Sequence, residues 1–279
     1  LAGCHQESDL PREYVVTVAP LAMIVSEIAG DRAAVHTLLQ PGVSPHTYEP
    51  RPSDIRTAER ALALFYVDDT LDGWAVRLPG VNKVAVFPLV PETMRLRWVS
   101  EHDESDEHEH GDNDPHFWGD PQTVKAVLPG LVEKLSALDP DGAAGYSERA
   151  KRFGASLDEL DAEIRELMAP ATGEPVVLFH SSWNYFLQRY GLVQAAVVEA
   201  SPGKEATAQH IAGLAETIKR EGIKAVFTEP QLARRPAEVV AEAGGVPVFE
   251  IDPLGGVPGK MRYEELIRSN AKVLNEALQ

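Results

Sequence analysis

Three histidines stand in settings suited to metal-binding chemistry. His46 lies in Gln40-Pro-Gly-Val-Ser-Pro-His46-Thr-Tyr-Glu49-Pro-Arg-Pro, a loop so rich in proline that it has few conformations to lose on ordering. His116 lies in Asp114-Pro-His116-Phe-Trp-Gly-Asp-Pro121, held by two prolines and two aromatics. His180 follows the apolar run Val176-Val-Leu-Phe179, and a carboxylate, Asp252, ends Val246-Pro-Val-Phe-Glu-Ile-Asp252. Three neutral imidazoles and one carboxylate make a closed tetrahedral set for a divalent metal; zinc takes such N and O ligands at about 2.0–2.2 Å. Structural zinc sites usually draw on close-spaced ligand pairs. These four are scattered over about 200 residues, so the tertiary fold alone can assemble them. If all four bind, no position is left for the water that a catalytic zinc keeps.

The elements that must position these groups alternate strand with helix. Strands are expected at Tyr14–Ala19, Ala33–Leu39, Ala63–Val67 and Lys83–Phe87, then at Pro175–Phe179, Leu192–Val198, Ile223–Phe227 and Val246–Ile251. Segments between them, such as Pro52–Ala61, Thr207–Arg220 and Arg235–Ala243, read as helices. This alternation predicts parallel sheets with crossover connections, in two α/β halves. Ligands of such sheets bind at the carboxyl ends of strands, where His180 and Asp252 fall. Between the halves, Pro121–Leu138 reads as a helix with proline in its first turn. Ala150, Phe153, Leu157, Leu160, Ile164 and Leu167 then recur at helical spacing. A helix over 141–168 is roughly 40 Å long at 1.5 Å per residue, a strut rather than a flexible hinge. The expected division is a segment 1–13, a lobe 14–120, a helical connection 121–172 and a lobe 173–279.

Composition narrows the partners. Twenty-six Lys plus Arg against 43 Asp plus Glu give a net charge of −17 in 279 residues. Nucleic-acid affinity depends on basic side chains neutralising phosphates, so this balance argues against it. It favours cations. One cysteine excludes an internal disulfide and every multi-cysteine zinc site. No apolar run approaches the roughly 20 residues of a membrane span. The segment Glu101–Asp114 holds eight acids and three histidines, His102, His108 and His110, with no Lys or Arg. It is expected to be a loop that chelates metal weakly, an accessory to the main site. Leu1-Ala2-Gly3-Cys4 is similar to the cleavage point of a lipoprotein signal, which makes Cys4 the expected lipidated residue, and two or more acyl chains anchor stably. Of the other histidines, His36 is expected at a packed or edge strand position and His210 facing solvent at a helix start.

Taken together, Pro45-His46-Thr-Tyr-Glu49-Pro, Asp114-Pro-His116-Phe-Trp, the Asp139-Pro…Tyr146 entry to the long helix, Ile223-Lys-Ala-Val-Phe-Thr-Glu229-Pro-Gln231 and Asp252-Pro-Leu-Gly255 form a specific pattern. On these motifs the chain resembles, from Tyr14 to Gln279, the cluster A-I solute-binding proteins, the metal-binding subunits of bacterial zinc and manganese ABC importers. The resemblance implies two lobes, each with a four-stranded mainly parallel sheet flanked by helices, joined by one long rigid helix with metal buried between them. It places the ligands on His46, His116, His180 and Asp252. The chain departs from the family at Ser181-Ser182-Trp183, where an Asp-Ala-aromatic run is common, and at Val67–Trp74. Manganese-selective relatives usually carry a carboxylate where His180 stands; imidazole suits zinc and carboxylate suits manganese, so Zn²⁺ is the expected cargo. Glu49 and Glu229 are the candidate acceptors for the ligands' other ring N–H groups. Affinity should fall below about pH 6, where imidazoles protonate.

The implied function is capture of Zn²⁺ outside the cytoplasmic membrane by a monomer, tethered at most through a lipid, and delivery to a membrane permease, with no catalysis. The alternatives are a manganese or iron carrier of the same fold, a zinc hydrolase using three histidines with Asp252 as base, or an adhesin whose metal is incidental. The chain has no His-Glu-x-x-His motif to favour the hydrolase.

Overall fold

A computed structural model describes residues 12–98, 113–199 and 206–279. The first half builds β1 (Arg12–Val16), α1 (Ala19–Ala29), β2 (Ala33–Thr37), α2 (Pro52–Arg60), β3 (Ala63–Tyr66) and β4 (Lys83–Ala85). Two helices follow, α3 (Pro121–Leu138) and α4 (Ala143–Met168). The second half builds β5 (Pro175–Leu178), α5 (Asn184–Tyr190), β6 (Val193–Val197), α6 (Ala208–Glu221), β7 (Val226–Thr228), α7 (Arg234–Gly244), β8 (Val248–Glu250) and α8 (Tyr263–Leu278).

The strands form two four-stranded sheets, in the orders β2-β1-β3-β4 and β6-β5-β7-β8. Every pairing within them is parallel. The two sheets therefore share one topology. In each, the chain leaves the first strand toward one side and returns on the other, which opens a crevice at the strands' carboxyl ends. The central strands β1 and β3 are covered on both faces, as parallel sheets require: Tyr14, Val15, Val16, Leu64 and Phe65 are all fully buried. The first strand stops short of its expected end. Ala19 opens α1 instead, with Pro20 in the first turn, where the missing N–H costs no hydrogen bond.

The α4 helix runs 26 residues, after a 3-10 turn at Pro140–Gly142. Its buried face is Tyr146, Ala150, Phe153, Leu157, Leu160, Ile164 and Met168. The stripe ends on Met168 where the sequence pattern pointed to Leu167, which is half-buried; one further turn from Ile164 at 3.6 residues lands nearer position 168. Arg149 Nε donates to the Ile28 carbonyl of α1 at 2.6 Å. Ser156 Oγ donates to Glu264 on α8 at 3.2 Å, and Arg268 of α8 pairs with Glu163 at 2.8 Å. One helix thus binds elements of both halves along its length. Its entry is locked by Asp139, whose carboxylate accepts from Arg32 at 2.6 and 2.8 Å and from Tyr146 Oη at 2.5 Å, with Arg12 at 3.1 Å.

Candidate metal centre

His46 sits in a 3-10 turn, Pro45–Thr47, on the connection that leaves β2. His116 lies just before α3, His180 at the end of β5. Residues far apart in sequence thus meet at the carboxyl ends of both sheets. The three ring centroids form a nearly equilateral triangle, with separations of 5.4, 5.5 and 5.4 Å. One ring nitrogen from each lies within 4.8 Å of the other two. A tetrahedral zinc with bonds of about 2.05 Å needs its nitrogens about 3.3 Å apart. Small inward shifts of the rings close that difference. The cavity, lined also by Ser44, Pro45, Glu229, Gln231, Pro253 and Leu254, has 10 Å³ for the centre of a water-sized sphere. That is room for about one small ion or water. A roomier groove of 460 Å³ runs beside it between α1, β2 and Leu254–Arg262, lined mostly by apolar side chains.

His116 and His180 each have a carboxylate behind the ring. His116 Nδ1 donates to Asp114 Oδ1 at 2.7 Å, and the same oxygen accepts the His116 backbone N–H at 2.9 Å. Asp114 is fully buried, and its second oxygen accepts from Asn184 Nδ2 at 3.0 Å. His180 Nδ1 stands 2.8 Å from Glu229 Oε1, with its N–H turned off the line of a good hydrogen bond. Ser182 Oγ donates to that oxygen at 2.6 Å. The unusual Ser181-Ser182 pair thus supplies the hydroxyl that holds Glu229. His180 Nε2 is buried with no hydrogen-bond partner among the described residues, which is the condition of a nitrogen kept for a ligand. Burial pulls the His180 imidazole down, while Glu229, backed by Asp114 and Glu199, pulls it up more strongly; the net shift is upward.

The His46 turn hangs on Trp74, whose Nε1 donates to the Pro45 carbonyl at 3.1 Å. Trp74 follows Asp72, and Asp72 is fully buried. Its carboxylate accepts from Thr17 Oγ1 at 2.5 Å and from the backbone N–H groups of Val67 and Asp68 at 2.9 and 3.0 Å. Burial pushes the Asp72 carboxyl up to about 7 against those hydrogen bonds. The Val67–Trp74 run therefore departs from the family pattern and still clamps the ends of β1 and β3 to the first histidine's loop.

Asp252 follows β8 and is 3% exposed. The structure does not bring it within the 4.8 Å group of the histidines. Its Oδ1 accepts from Gln231 Nε2 at 2.8 Å and from the N–H groups of Leu254 and Gly255 at 3.1 and 3.0 Å. Its Oδ2 faces Lys260 Nζ at 3.6 Å. Asn270 of α8 clasps its backbone, accepting from Asp252 N at 2.7 Å and donating to its carbonyl at 2.8 Å. Its neighbour Pro253 accepts from Trp118 Nε1 at 2.8 Å, tying Asp252's loop to His116's.

The two candidate acceptors separate. Glu229 lies behind His180 and lines the cavity, whereas Glu49 is exposed and outside the lining. In the first turn of α2, just after Glu49's loop, the Asp54 carboxylate accepts from Tyr48 Oη at 2.6 Å and Arg51 N at 2.7 Å. Asp114, Asn270 and Lys260 did not stand out in sequence. Asp114 had a signal, two residues before its histidine. Asn270 had one too: a polar residue on the buried face of α8, between Ile267 and Leu274. His210 is half-buried, its Nε2 3.0 Å from the Val197 carbonyl, rather than facing solvent. His36 is exposed on β2, an edge strand. Cys4 and the accessory histidines His102, His108 and His110 lie outside the described residues. Arg97 and Asn113 form an antiparallel bridge, and Asp114 N donates to Leu96 O at 2.8 Å.

Fold and site together define a two-lobed protein with one ion-sized cup of imidazoles between its lobes. A model of the family described as zinc-uptake complex component A, periplasmic (ZnuA), matches residues 15–277. The putative metal-binding protein of Thermotoga maritima is 30% identical over 272 residues, 96% of this chain and 93% of that protein. The high-affinity zinc uptake system protein ZnuA of Paracoccus denitrificans is 29% identical over 312 residues, 99% of this chain and 94% of that one. A crystal structure of ZnuA aligns with a TM-score of 0.82 at 25% identity, covering 97% of this chain and 100% of its own. The chain belongs to the ZnuA family.

Proposed function

We propose that this protein captures Zn²⁺ outside the cytoplasmic membrane and hands it to the permease of an ABC importer. The observation that carries the reading is the triangle of His46, His116 and His180 around a cavity the size of one ion. In this reading their ring nitrogens bind the cargo. Asp252 turns its Oδ2 inward as the fourth ligand, and Asp114 and Glu229 hold the second nitrogens of His116 and His180. Three imidazoles favour zinc over manganese, which prefers oxygen donors. The names of the zinc-uptake relatives support the same cargo. The protein acts as a carrier and not an enzyme: with Asp252 bound, no site remains for an attacking water.

The lobes of this carrier are 14–120 and 173–279, joined through 121–172, and it works as a monomer. The Leu1-Ala2-Gly3-Cys4 run supports a lipid tether at Cys4. His102, His108 and His110 act as an accessory collector of the cargo ion. The test is growth under zinc restriction of a bacterium lacking its own zinc-binding subunit but carrying the cognate permease. The wild-type chain should restore growth, and His46→Ala, His116→Ala and His180→Ala should not. Equal rescue by the His180→Ala variant, or rescue by added manganese in place of zinc, would overturn the reading.

A further inference from the structure

Asp252 is held unevenly. Its Oδ1 takes three hydrogen bonds, from Gln231, Leu254 N and Gly255 N, which saturate that oxygen and fix the carboxylate plane. Its Oδ2 has a different neighbour, the Lys260 ammonium at 3.6 Å. The pair is largely out of water, with the Lys260 and Asp252 side chains 24% and 4% exposed. The oxygen left for a cargo ion is thus the one a protein cation already faces.

The position of Lys260 is built in by its turn. Gly256 N donates to the Lys260 carbonyl at 3.0 Å, and Lys260 N donates to the Val257 carbonyl at 2.9 Å. Gly255 and Gly256 both have left-handed backbone, with φ of 64° and 78°. A Cβ on Gly255 would come within 2.8 Å of the Lys260 carbonyl and 3.1 Å of Met23 on α1; one on Gly256 would come within 3.1 Å of Ala19. The turn thus touches the opposite lobe at Met23 and Ala19, and the same turn that donates the Leu254 and Gly255 N–H groups to Asp252 Oδ1 returns Lys260 to the second oxygen.

The geometry points to Lys260 as a counter-ion of Asp252 that competes with the cargo ion for its Oδ2. The inference rests on Asp252 being the fourth ligand, as proposed above. Zn²⁺ approaching Oδ2 displaces an ion pair and then feels the repulsion of a nearby ammonium. Both effects lower the affinity and speed release, which suits a protein that must give up its cargo. The charge also spares a buried carboxylate from standing uncompensated when no metal is bound.

The test is a chelator-competition measurement of Zn²⁺ affinity, with dissociation rates from a chelator chase, on the full chain. It uses wild type, Lys260→Met, Lys260→Arg, Asp252→Asn and the double variant Asp252→Asn with Lys260→Met. Lys260→Met should bind zinc about tenfold more tightly, mostly through slower release. Lys260→Arg should stay within about threefold of wild type, because the charge is kept. Asp252→Asn should bind at least about tenfold more weakly, and in its background the gain from Lys260→Met should shrink below about threefold, the mark of coupled residues. Thermal unfolding supplies a second readout: Lys260→Met should melt lower than wild type when metal-free and higher when saturated with a fixed excess of zinc, an inversion that lost packing alone does not give. Unchanged or weaker binding by Lys260→Met, with Asp252→Asn weakened, would overturn the counter-ion and leave the ligand assignment standing. Wild-type zinc affinity in Asp252→Asn would remove the ligand assignment and the counter-ion with it.

Discussion

At the scale of residues, two of the three imidazoles have Nδ1 beside a buried carboxylate: His116 donates to Asp114 at 2.7 Å, and His180 stands 2.8 Å from Glu229. Such partners fix the tautomer and orientation, and losing one typically costs about 10- to 100-fold in metal affinity. Glu229→Gln should weaken zinc binding by that factor while leaving the metal-free fold intact, read by competition titration and circular dichroism. The sign of the pH effect follows from the same contact. The carboxylates around His180 raise its imidazole, so protons compete with zinc at a higher pH than for an isolated imidazole near 6.5. Affinity should fall as pH drops from about 7 to about 5, and in Glu229→Gln the fall should move to lower pH; a flat affinity over that range contradicts the assignment. His46, His116 and His180 were legible because proline-rich loops leave a side chain few conformations to lose and because ligands of parallel sheets bind at strand carboxyl ends. Their acceptors were less so. Reach depends on where two chains pass in space, which is why Glu229, some 50 residues from His180, qualifies and Glu49, three from His46, does not.

At the scale of elements, α4 carries the most information from sequence to structure. A heptad-like stripe over 26 residues has few foldings other than a helix with one buried face. Leu157 is fully buried at its middle, and Leu157→Ala should destabilise the protein by about 2–5 kcal/mol, measured by denaturant unfolding. The helix entry has its own pH signature. Hydrogen bonding from Arg32 holds the Asp139 carboxyl down at about 2 against its burial, with Tyr146 and Arg12 helping. A folded-state value below the ordinary one of 3.8 means stability that is full above that pH and lost as pH falls toward 2. Asp139→Asn should be less stable than wild type at neutral pH, and the difference should narrow on acidification through that window; a constant difference contradicts the role given to Asp139. The strands were legible in type and order, less in length. Their ends depend on which backbone groups the next element claims, as where α1 begins at Ala19 and cuts β1 short.

At the scale of the whole molecule, two sheets of one topology face their carboxyl ends toward a single cup, and α4 bonds elements of both halves along its length. Trp118 adds a further tie, its Nε1 donating to Pro253 O while its carbonyl accepts from Tyr263 Oη at 2.7 Å. Wide opening of the lobes would have to break these ties. The net charge of −17 draws cations generally, so selection among them falls to the donor set. The most direct check on the central claim is a competition titration of metal-stripped protein with Zn²⁺ and Mn²⁺, alongside His180→Ala. One tight zinc equivalent, far weaker manganese binding, and a loss of at least about 100-fold in zinc affinity in His180→Ala are the expected results. Manganese binding equal to or tighter than zinc, or a His180→Ala variant that binds zinc like wild type, would contradict the imidazole cup as the cargo site.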